Sequence, residues 1–148
     1  MRFYTHLVAG VLVAVVFVEY LSFPSDLVAV LFVLFGSVLP DVDEQRSRLG
    51  KLFPVIPKLF VHRGFFHSVA LGTTITIAVS FVASAYALAF AAGFASHLLL
   101  DAMTPRGVKP FWPSQVRVKG FVRTGSVLEA LLFFALIAVV VWMLVRVG

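Results

Sequence analysis

Apolar runs separated by short polar loops fill most of the chain. The first run, Phe3 to Tyr20, and the last, Ser126 to Val145, each have the length of a membrane helix, because a bilayer core about 30 Å thick takes about 20 helical residues. A shorter run, Asp26 to Leu39, predicts a second helix, which Pro40 stops. Pro54 and Pro57 argue against a long regular helix in the loop that follows.

The longest apolar block, His67 to Asp101, is too long for one crossing. As a single helix it would measure about 51 Å, so we predict two helices with a turn near Ser80 to Ala85, although no Gly or Pro marks the turn. The pattern therefore predicts an all-α, polytopic membrane bundle of about five transmembrane helices. It forms one integral membrane domain over residues 1–148.

The basic residues predict the orientation of this bundle. With five crossings, the starts of helices one, three and five and the ends of helices two and four lie on one side of the membrane. Eleven of the 12 Lys and Arg residues fall on that side, namely Arg2, Arg46, Arg48, Lys51, Lys58, Arg63, Arg106, Lys109, Arg117, Lys119 and Arg123. The positive-inside rule makes this side, with the N-terminus, cytoplasmic. A single span over residues 67–101 would abolish the bias, which favours two helices there.

Composition agrees with a membrane protein, since 61% of the residues are hydrophobic and only 13% are charged. The first run resembles a signal peptide, but Glu19 and the bulky Tyr20 and Leu21 follow it without a cleavage site, which predicts a retained helix. The chain has no cysteine, so histidines and carboxylates would have to hold any metal ion.

The polar residues of the predicted cytoplasmic side include every histidine of the chain. These are His6, His62, His67 and His97, and the carboxylates at the same level are Asp41, Asp43, Glu44 and Asp101. Ionisable groups at or inside a membrane span cost free energy and tend to mark a functional site. Imidazole and carboxylate together suit a metal such as zinc or manganese.

His97 and Asp101 are four residues apart, so on a helix their side chains share one face and can hold one ion. The alternative is that His97 is a buried polar group with an internal partner and that Asp101 marks the membrane interface. His62 and His67 are five residues apart, and Gly64 allows both to face one point. Alternatively, His67 and Ser68 cap the third helix.

Asp41 and Asp43 follow Pro40 in an extended arrangement, in which one carboxylate can bridge ions and the other can bind or serve as base. A solvated acidic turn is the alternative. His6 is supported only by its position on the same side. Ser126 and Glu129 fit a capping box, which favours a structural role for this glutamate. The convergence of candidates from four segments on one side favours a metal site over these separate structural roles.

These motifs together resemble a known family. A histidine early in helix one, PDVDE at the end of helix two, H-R-G-x-x-H-S before helix three and H-x-x-x-D at the end of helix four are similar to the YdjM-like family of inner-membrane, metal-dependent hydrolases. The resemblance covers nearly the whole chain. It implies metal ligands at the matching positions, which are His6, Asp41, His62, His67, His97 and Asp101. Phe66 departs from the threonine common before the second histidine.

We expect metal-dependent hydrolysis of an ester or phosphoester, in a lipid or another membrane-surface substrate, at the cytoplasmic face of the inner membrane. One or two divalent ions, most simply zinc, with manganese or magnesium as alternatives, would activate water. Asp43 or Glu44 would act as general base. Arg63, with Arg106, Lys109 and Arg117, would hold a phosphate, although the positive-inside bias alone also explains these cations.

Two other functions are compatible with the sequence. An ion or metal transporter would usually place its ionisable residues near the membrane midplane, whereas here they lie at one side. A non-catalytic membrane scaffold with a structural metal would use the basic loops to dock a partner. Those loops lack a dense Lys/Arg run with interleaved aromatic residues, so a nucleic-acid partner is not expected. The sequence predicts no oligomeric state.

Overall fold

In the computed structural model, which describes residues 1–147 and leaves Gly148 outside, the chain is helical. The α-helices are α1 (Phe3–Tyr20), α2 (Asp26–Val38), α3 (Arg48–Leu52), α4 (Ile56–Leu59), α5 (Val69–Val82), α6 (Ala87–Ala102) and α7 (Val127–Val147). Short 3-10 turns lie at Leu39–Asp43, Phe65–His67 and Ser84–Tyr86. Over residues 1–147, β-pairing is limited to an isolated antiparallel bridge between Val108 and Val118. The all-α prediction is confirmed.

The predicted division of the long apolar block is also confirmed. Helix α5 ends at Val82, and Ala83 leaves the helical region with φ −152° and ψ 58°. The 3-10 turn Ser84–Tyr86 then leads directly into α6. The Tyr86 ring stacks on Phe32 and Phe23, with ring centroids 5.4 and 6.2 Å away. Aromatic packing, rather than a glycine or proline, therefore accompanies this turn.

Within the described residues 1–147, three helical segments are long and apolar enough to cross a bilayer: Phe3–Tyr20, Ser84–Ala102 and Val127–Arg146. Helix α2 has 13 residues and α5 has 14, so both fall short of the usual length. The number of full-length spans is thus three, fewer than the five predicted. Helix α2 is short because Pro40 turns its end into a 3-10 turn, and α5 is short because the chain leaves the helix at Ala83.

Helices α2 and α6 form a close pair in the centre of the bundle. A Cβ atom on Gly36 would overlap the backbone of α6 at Phe90, and one on Gly93 would overlap the backbone of α2 at Val33. Small residues that let two backbones touch are typical of helix contacts in membranes. Helix α1 packs against α2, α6 and α7, and α5 packs against α6.

One end of this bundle gathers the starts of α1, α5 and α7 and the ends of α2 and α6. The backbone N–H of Arg2 donates to Glu129 at 2.7 Å, which joins the starts of α1 and α7. The rings of His6 and His97 stack with centroids 3.8 Å apart, which joins the start of α1 to the end of α6. The predicted grouping of helix ends is therefore found, and it concentrates the polar residues at this end.

Candidate metal centre

Six side chains meet at this end of the bundle, and they are the six that the sequence predicted as ligands. They fall into three overlapping groups: His6, Asp41 and His97; Asp41, His62 and His67; and His67, His97 and Asp101. Within each group, one nitrogen or oxygen atom from every residue lies within 4.8 Å of the others. The groups share Asp41, His67 and His97, so they form one continuous cluster.

Helices α1 and α6 each supply a fully buried imidazole. His6 and His97 are 1% and 0% exposed, and their rings lie nearly parallel, with 10° between their planes. The Nδ1 atom of His97 is 2.8 Å from the carbonyl oxygen of Ser37 in α2. Because a carbonyl only accepts, this contact places the His97 proton on Nδ1. The free Nε2 lone pair then faces Asp41 Oδ1 at 3.6 Å.

The 3-10 turn after α2 brings Asp41 into the cluster. Its Oδ1 atom lies 3.6 Å from His97 Nε2 and 3.9 Å from His67 Nε2. Burial raises the pKa of the Asp41 carboxyl, and His6 and His67 only partly oppose this effect. A cation beside this carboxylate would compensate for the cost of burying its charge.

Asp43 lies behind two of the histidines. Its Oδ1 is 2.7 Å from His62 Nδ1, while its Oδ2 is 3.3 Å from His67 Nδ1 and accepts from the backbone N–H of Arg63 at 3.2 Å. Burial alone would raise the pKa of Asp43, but hydrogen bonds from His62 and His67 outweigh it and lower the pKa. The ionised carboxylate therefore contacts both rings through Nδ1. This leaves the Nε2 atom of His67 directed at the cluster and that of His62 beside Glu44.

The sequence left Asp43 and Glu44 as alternative bases, and their surroundings differ. Asp43 is fully buried with both oxygens engaged, a geometry that favours a positioning role. The Glu44 side chain is 34% exposed, and its Oε2 lies 3.4 Å from His62 Nε2. Burial lowers the pKa of His62, but the Asp43 hydrogen bond and the charge of Glu44 outweigh it, so this pKa is raised.

Arg63 connects the cluster to the loop after α6. Its Nη2 donates to Asp101 Oδ2 at 2.8 Å, and its Nη1 donates to Thr104 Oγ1 at 2.8 Å and to the carbonyl of Gly107 at 3.1 Å. The residue has a φ of +64°, which costs an L-amino acid about 1–2 kcal/mol. The predicted phosphate contact of Arg63 therefore competes with contacts inside the protein.

Asp101 is surrounded by nitrogen atoms. Its Oδ2, besides the contact with Arg63, is 3.6 Å from His67 Nε2. Its Oδ1 is 3.3 Å from His6 Nε2 and contacts the amino group of Met1. The i, i+4 spacing predicted that Asp101 and His97 serve one site, and the structure places both in one group with His67.

The residues of the cluster fit a divalent metal. Ligand atoms around tetrahedral zinc lie roughly 3.4 Å apart. The three pairs of His Nε2 and Asp oxygen atoms described above at 3.6, 3.6 and 3.9 Å come close to this separation. Within residues 1–147, both ring nitrogens of His6 and the Nε2 atoms of His67 and His97 are buried without a hydrogen-bond partner. Buried polar atoms rarely lack one, so these nitrogens are suited to a metal.

A cavity of about 650 Å³ opens beside the cluster, with Asp41, Glu44 and His62 in its wall. Arg63 and Arg106, which the sequence predicted for substrate binding, also line it. Arg46 and Arg123 line the same cavity, and the sequence offered no signal for them beyond their position on the basic side.

Two of the cations predicted to hold phosphate have other partners. Lys109 Nζ donates to Gln115 Oε1 at 2.6 Å, and Arg117 Nη1 donates to the carbonyl of Arg106 at 2.8 Å. Neither side chain lines the cavity beside the cluster. The geometry therefore favours Arg106 over Lys109 and Arg117 for substrate contact.

Glu129 lies outside the cluster, as the capping prediction implied. Ser126 Oγ accepts from the backbone N–H of Glu129 at 3.3 Å, which is one half of a capping box. The carboxylate accepts from Gly125 N at 2.6 Å, Arg2 N at 2.7 Å and Thr5 Oγ1 at 3.2 Å. Glu129 therefore fixes the start of α1, and with it His6, against α7.

Comparison with known proteins agrees with the motif resemblance. The family model described as YdjM inner membrane protein matches residues 1–147. The uncharacterized protein YvsG of Bacillus subtilis is 31% identical over 144 residues, which cover 89% of this chain and 87% of YvsG.

The inner membrane protein YdjM of Escherichia coli is 34% identical over 120 residues, which cover 72% of this chain and 61% of that protein. No solved structure matches the chain significantly. The chain is a membrane protein, and it belongs to the YdjM family of inner membrane proteins.

Proposed function

We propose that this protein is a membrane-embedded, metal-dependent hydrolase that acts on an ester or phosphoester at the cytoplasmic face of the inner membrane. One observation carries the proposal. The buried rings of His67 and His97 each have a contact at Nδ1, so that their Nε2 atoms meet carboxylate oxygens beside an arginine-lined cavity. Orientation of metal-binding histidines through the second ring nitrogen is a recurrent feature of metal sites.

The six clustered side chains would hold one or two divalent ions, for which zinc is the best match, with manganese or magnesium as alternatives. Such an ion would lower the pKa of bound water toward about 7 and polarise an ester or phosphoester oxygen. Asp41 is the only carboxylate that belongs to two of the three groups, which makes it the natural bridge if two ions bind. Zinc alone of the three metals prefers so many nitrogen ligands.

Glu44 is our proposed general base. Its side chain is partly exposed, lines the cavity and lies next to His62, so it can reach both the water to be deprotonated and the solvent that removes the proton. Asp43 instead holds the rings of His62 and His67 in position. Arg106 and Arg46 would bind the charged oxygens of the substrate at the rim.

We further propose five crossings, with the N-terminus and the site on the cytoplasmic side. The gathered helix ends and the 11 of 12 basic residues at this end of the bundle support that orientation. Helices α2 and α5 are only about 20 Å long. Helix α2 is extended by the 3-10 turn Leu39–Asp43, which adds to the depth it covers.

The test is metal analysis of the purified protein. The wild type should carry one or two zinc ions per chain, and His97→Ala and Asp41→Ala should each lose most of them. Glu19→Gln, a carboxylate change at the opposite end of α1, should leave the content unchanged. Metal-loaded protein should then hydrolyse one member of a panel of phosphoesters and esters. Wild-type protein without stoichiometric metal, or variants with unchanged content, would refute the proposal.

A further inference from the structure

A second cavity, of about 430 Å³, lies on the other side of His62 and Glu44. These two residues line both this cavity and the arginine-lined one. Its opposite wall is formed by α4 and the residues after it, including Leu59, Phe60 and Val61. We refer to this second cavity as the chain groove. The two cavities therefore meet at the proposed base and at a proposed ligand. Arginines line the first cavity, whereas the second has an apolar side and a polar side, to which Asp43, Gln45 and Lys58 also contribute.

We propose that the chain groove binds the hydrocarbon chain of a lipid whose phosphate group lies in the arginine-lined cavity. This inference rests on the proposed hydrolase function and specifies its substrate as an anionic lipid phosphate. The reacting bond would then lie at the junction of the two cavities, beside His62 and Glu44.

The surroundings of the chain groove indicate a lipid as its occupant. The segment from α3 to Val61 exposes large apolar side chains: Leu52, Phe53, Val55, Leu59 and Val61. Lys51 and Lys58 are exposed within the same segment. Segments that combine apolar side chains with lysines lie at the boundary between lipid head groups and chains. This segment is followed closely by α5, whose first residue, Val69, is also an exposed apolar residue.

The cationic wall indicates the charge of the head group. Arg46, Arg106 and Arg123 are exposed, and within residues 1–147 none of them has a carboxylate within salt-bridge distance. Guanidinium groups bind phosphate oxygens in a bidentate manner. Three unpaired arginines around one cavity therefore favour a phosphate that carries net negative charge over a zwitterionic head group.

Photo-crosslinking tests the groove without requiring hydrolysis. Zinc-loaded full-length protein would be labelled with a phosphatidic acid analogue that carries a diazirine on its acyl chain. We expect cross-links within residues 57–62, and unlabelled phosphatidic acid should compete better than phosphatidylcholine. Cross-links confined to the outer faces of α5 and α7, or equal competition by the two lipids, would overturn the inference.

A matched pair of variants sharpens this test. Leu59 lines the chain groove and Leu52 does not, yet their exposed fractions are 72% and 71%. Leu59→Asp should weaken competition by phosphatidic acid about tenfold, the effect of losing contact with about two methylene groups. Leu52→Asp should change it less than about twofold, since it lies outside the groove. Equal effects of the two substitutions would contradict a specific groove.

Hydrolysis of two substrates separates this inference from the proposed function. If the protein hydrolyses para-nitrophenyl phosphate but cross-linking misses the groove, the lipid assignment fails and the hydrolase function stands. If the phosphatidic acid analogue labels the groove but neither phosphatidic acid nor para-nitrophenyl phosphate is hydrolysed, the groove assignment stands and the hydrolase proposal fails.

Discussion

The imidazole of His97 lies between two groups of the helix-α2 region, with its Nδ1 2.8 Å from the Ser37 carbonyl oxygen and its Nε2 3.6 Å from Asp41 Oδ1. The first contact sets the tautomer, and the second directs the free nitrogen at a carboxylate. Both require α6 to lie close against α2. Gly36 and Gly93 permit this, since a side chain on either would overlap the facing backbone. Helix packing and site geometry are thus coupled at one contact.

Gly93→Val tests this coupling. The added side chain would meet the backbone of α2 at Val33, so we expect the helices to separate, with a stability loss of about 1–3 kcal/mol. The metal content should also fall, because separation of the two helices moves His97 away from Asp41. Thermal unfolding and metal analysis check both effects. Ala95→Val, on the exposed face of the same helix, is the control, and an equal effect of both substitutions would contradict the coupling.

Asp43→Asn tests the positioning role of this buried carboxylate. The amide oxygen of asparagine accepts hydrogen bonds, but its nitrogen only donates them. Asparagine can therefore not accept from both His62 and His67 as the carboxylate does, and at least one ring loses its orientation. We expect zinc affinity to fall about 10- to 100-fold, as for other contacts behind metal ligands. Competition with a chelator measures the affinity, and Asp26→Asn, at the start of α2, is the control. Wild-type affinity in Asp43→Asn would rule out this role.

Glu44→Gln tests the assignment of the general base. The substitution preserves size and removes the proton acceptor, so the turnover number should fall about 10²- to 10⁴-fold. Zinc content should stay at the wild-type level, because Glu44 belongs to none of the three ligand groups. Metal analysis alongside steady-state kinetics checks both. If the zinc is lost as well, Glu44 is a ligand rather than the base.

Arg63→Lys tests the link between the cluster and the loop after α6. Lysine keeps the charge, but its single amino group cannot reach Asp101, Thr104 and Gly107 together. We expect a stability loss of about 1–3 kcal/mol, because a buried acceptor is left without its donor. Thermal unfolding measures it. Arg117→Lys, which changes an exposed arginine, should have little effect, and similar shifts in both variants would argue against the link.

Much of the fold and the residues that gather in the cluster could be predicted from the sequence, because both depend on local signals. Pro40 ends α2 where expected, and the length of the apolar block alone predicted a break close to the observed one at Ala83. Alternate crossings then bring the histidines and aspartates to one end of the bundle. The short lengths of α2 and α5 were not predicted, since apolar residues continue past the points where the backbone leaves the helix.

The remaining features of the site depend on contacts between distant residues, which no local pattern encodes. The two-ring contact of Asp43 requires the loop before α5 to fold over the end of α2. The internal contacts of Arg63 arise from the loop after α6, 41 residues further along the chain at Thr104. Arg46 and Arg123 line one cavity only because their two loops are adjacent in space.

X-ray absorption at the zinc K-edge of the purified protein tests the central claim most directly. We expect stoichiometric zinc with only nitrogen and oxygen ligands, and with the outer-shell scattering that imidazole rings produce. In His97→Ala this imidazole scattering should weaken or the metal should be lost. Protein without zinc, manganese or another divalent metal, or metal bound without imidazole, would contradict the account.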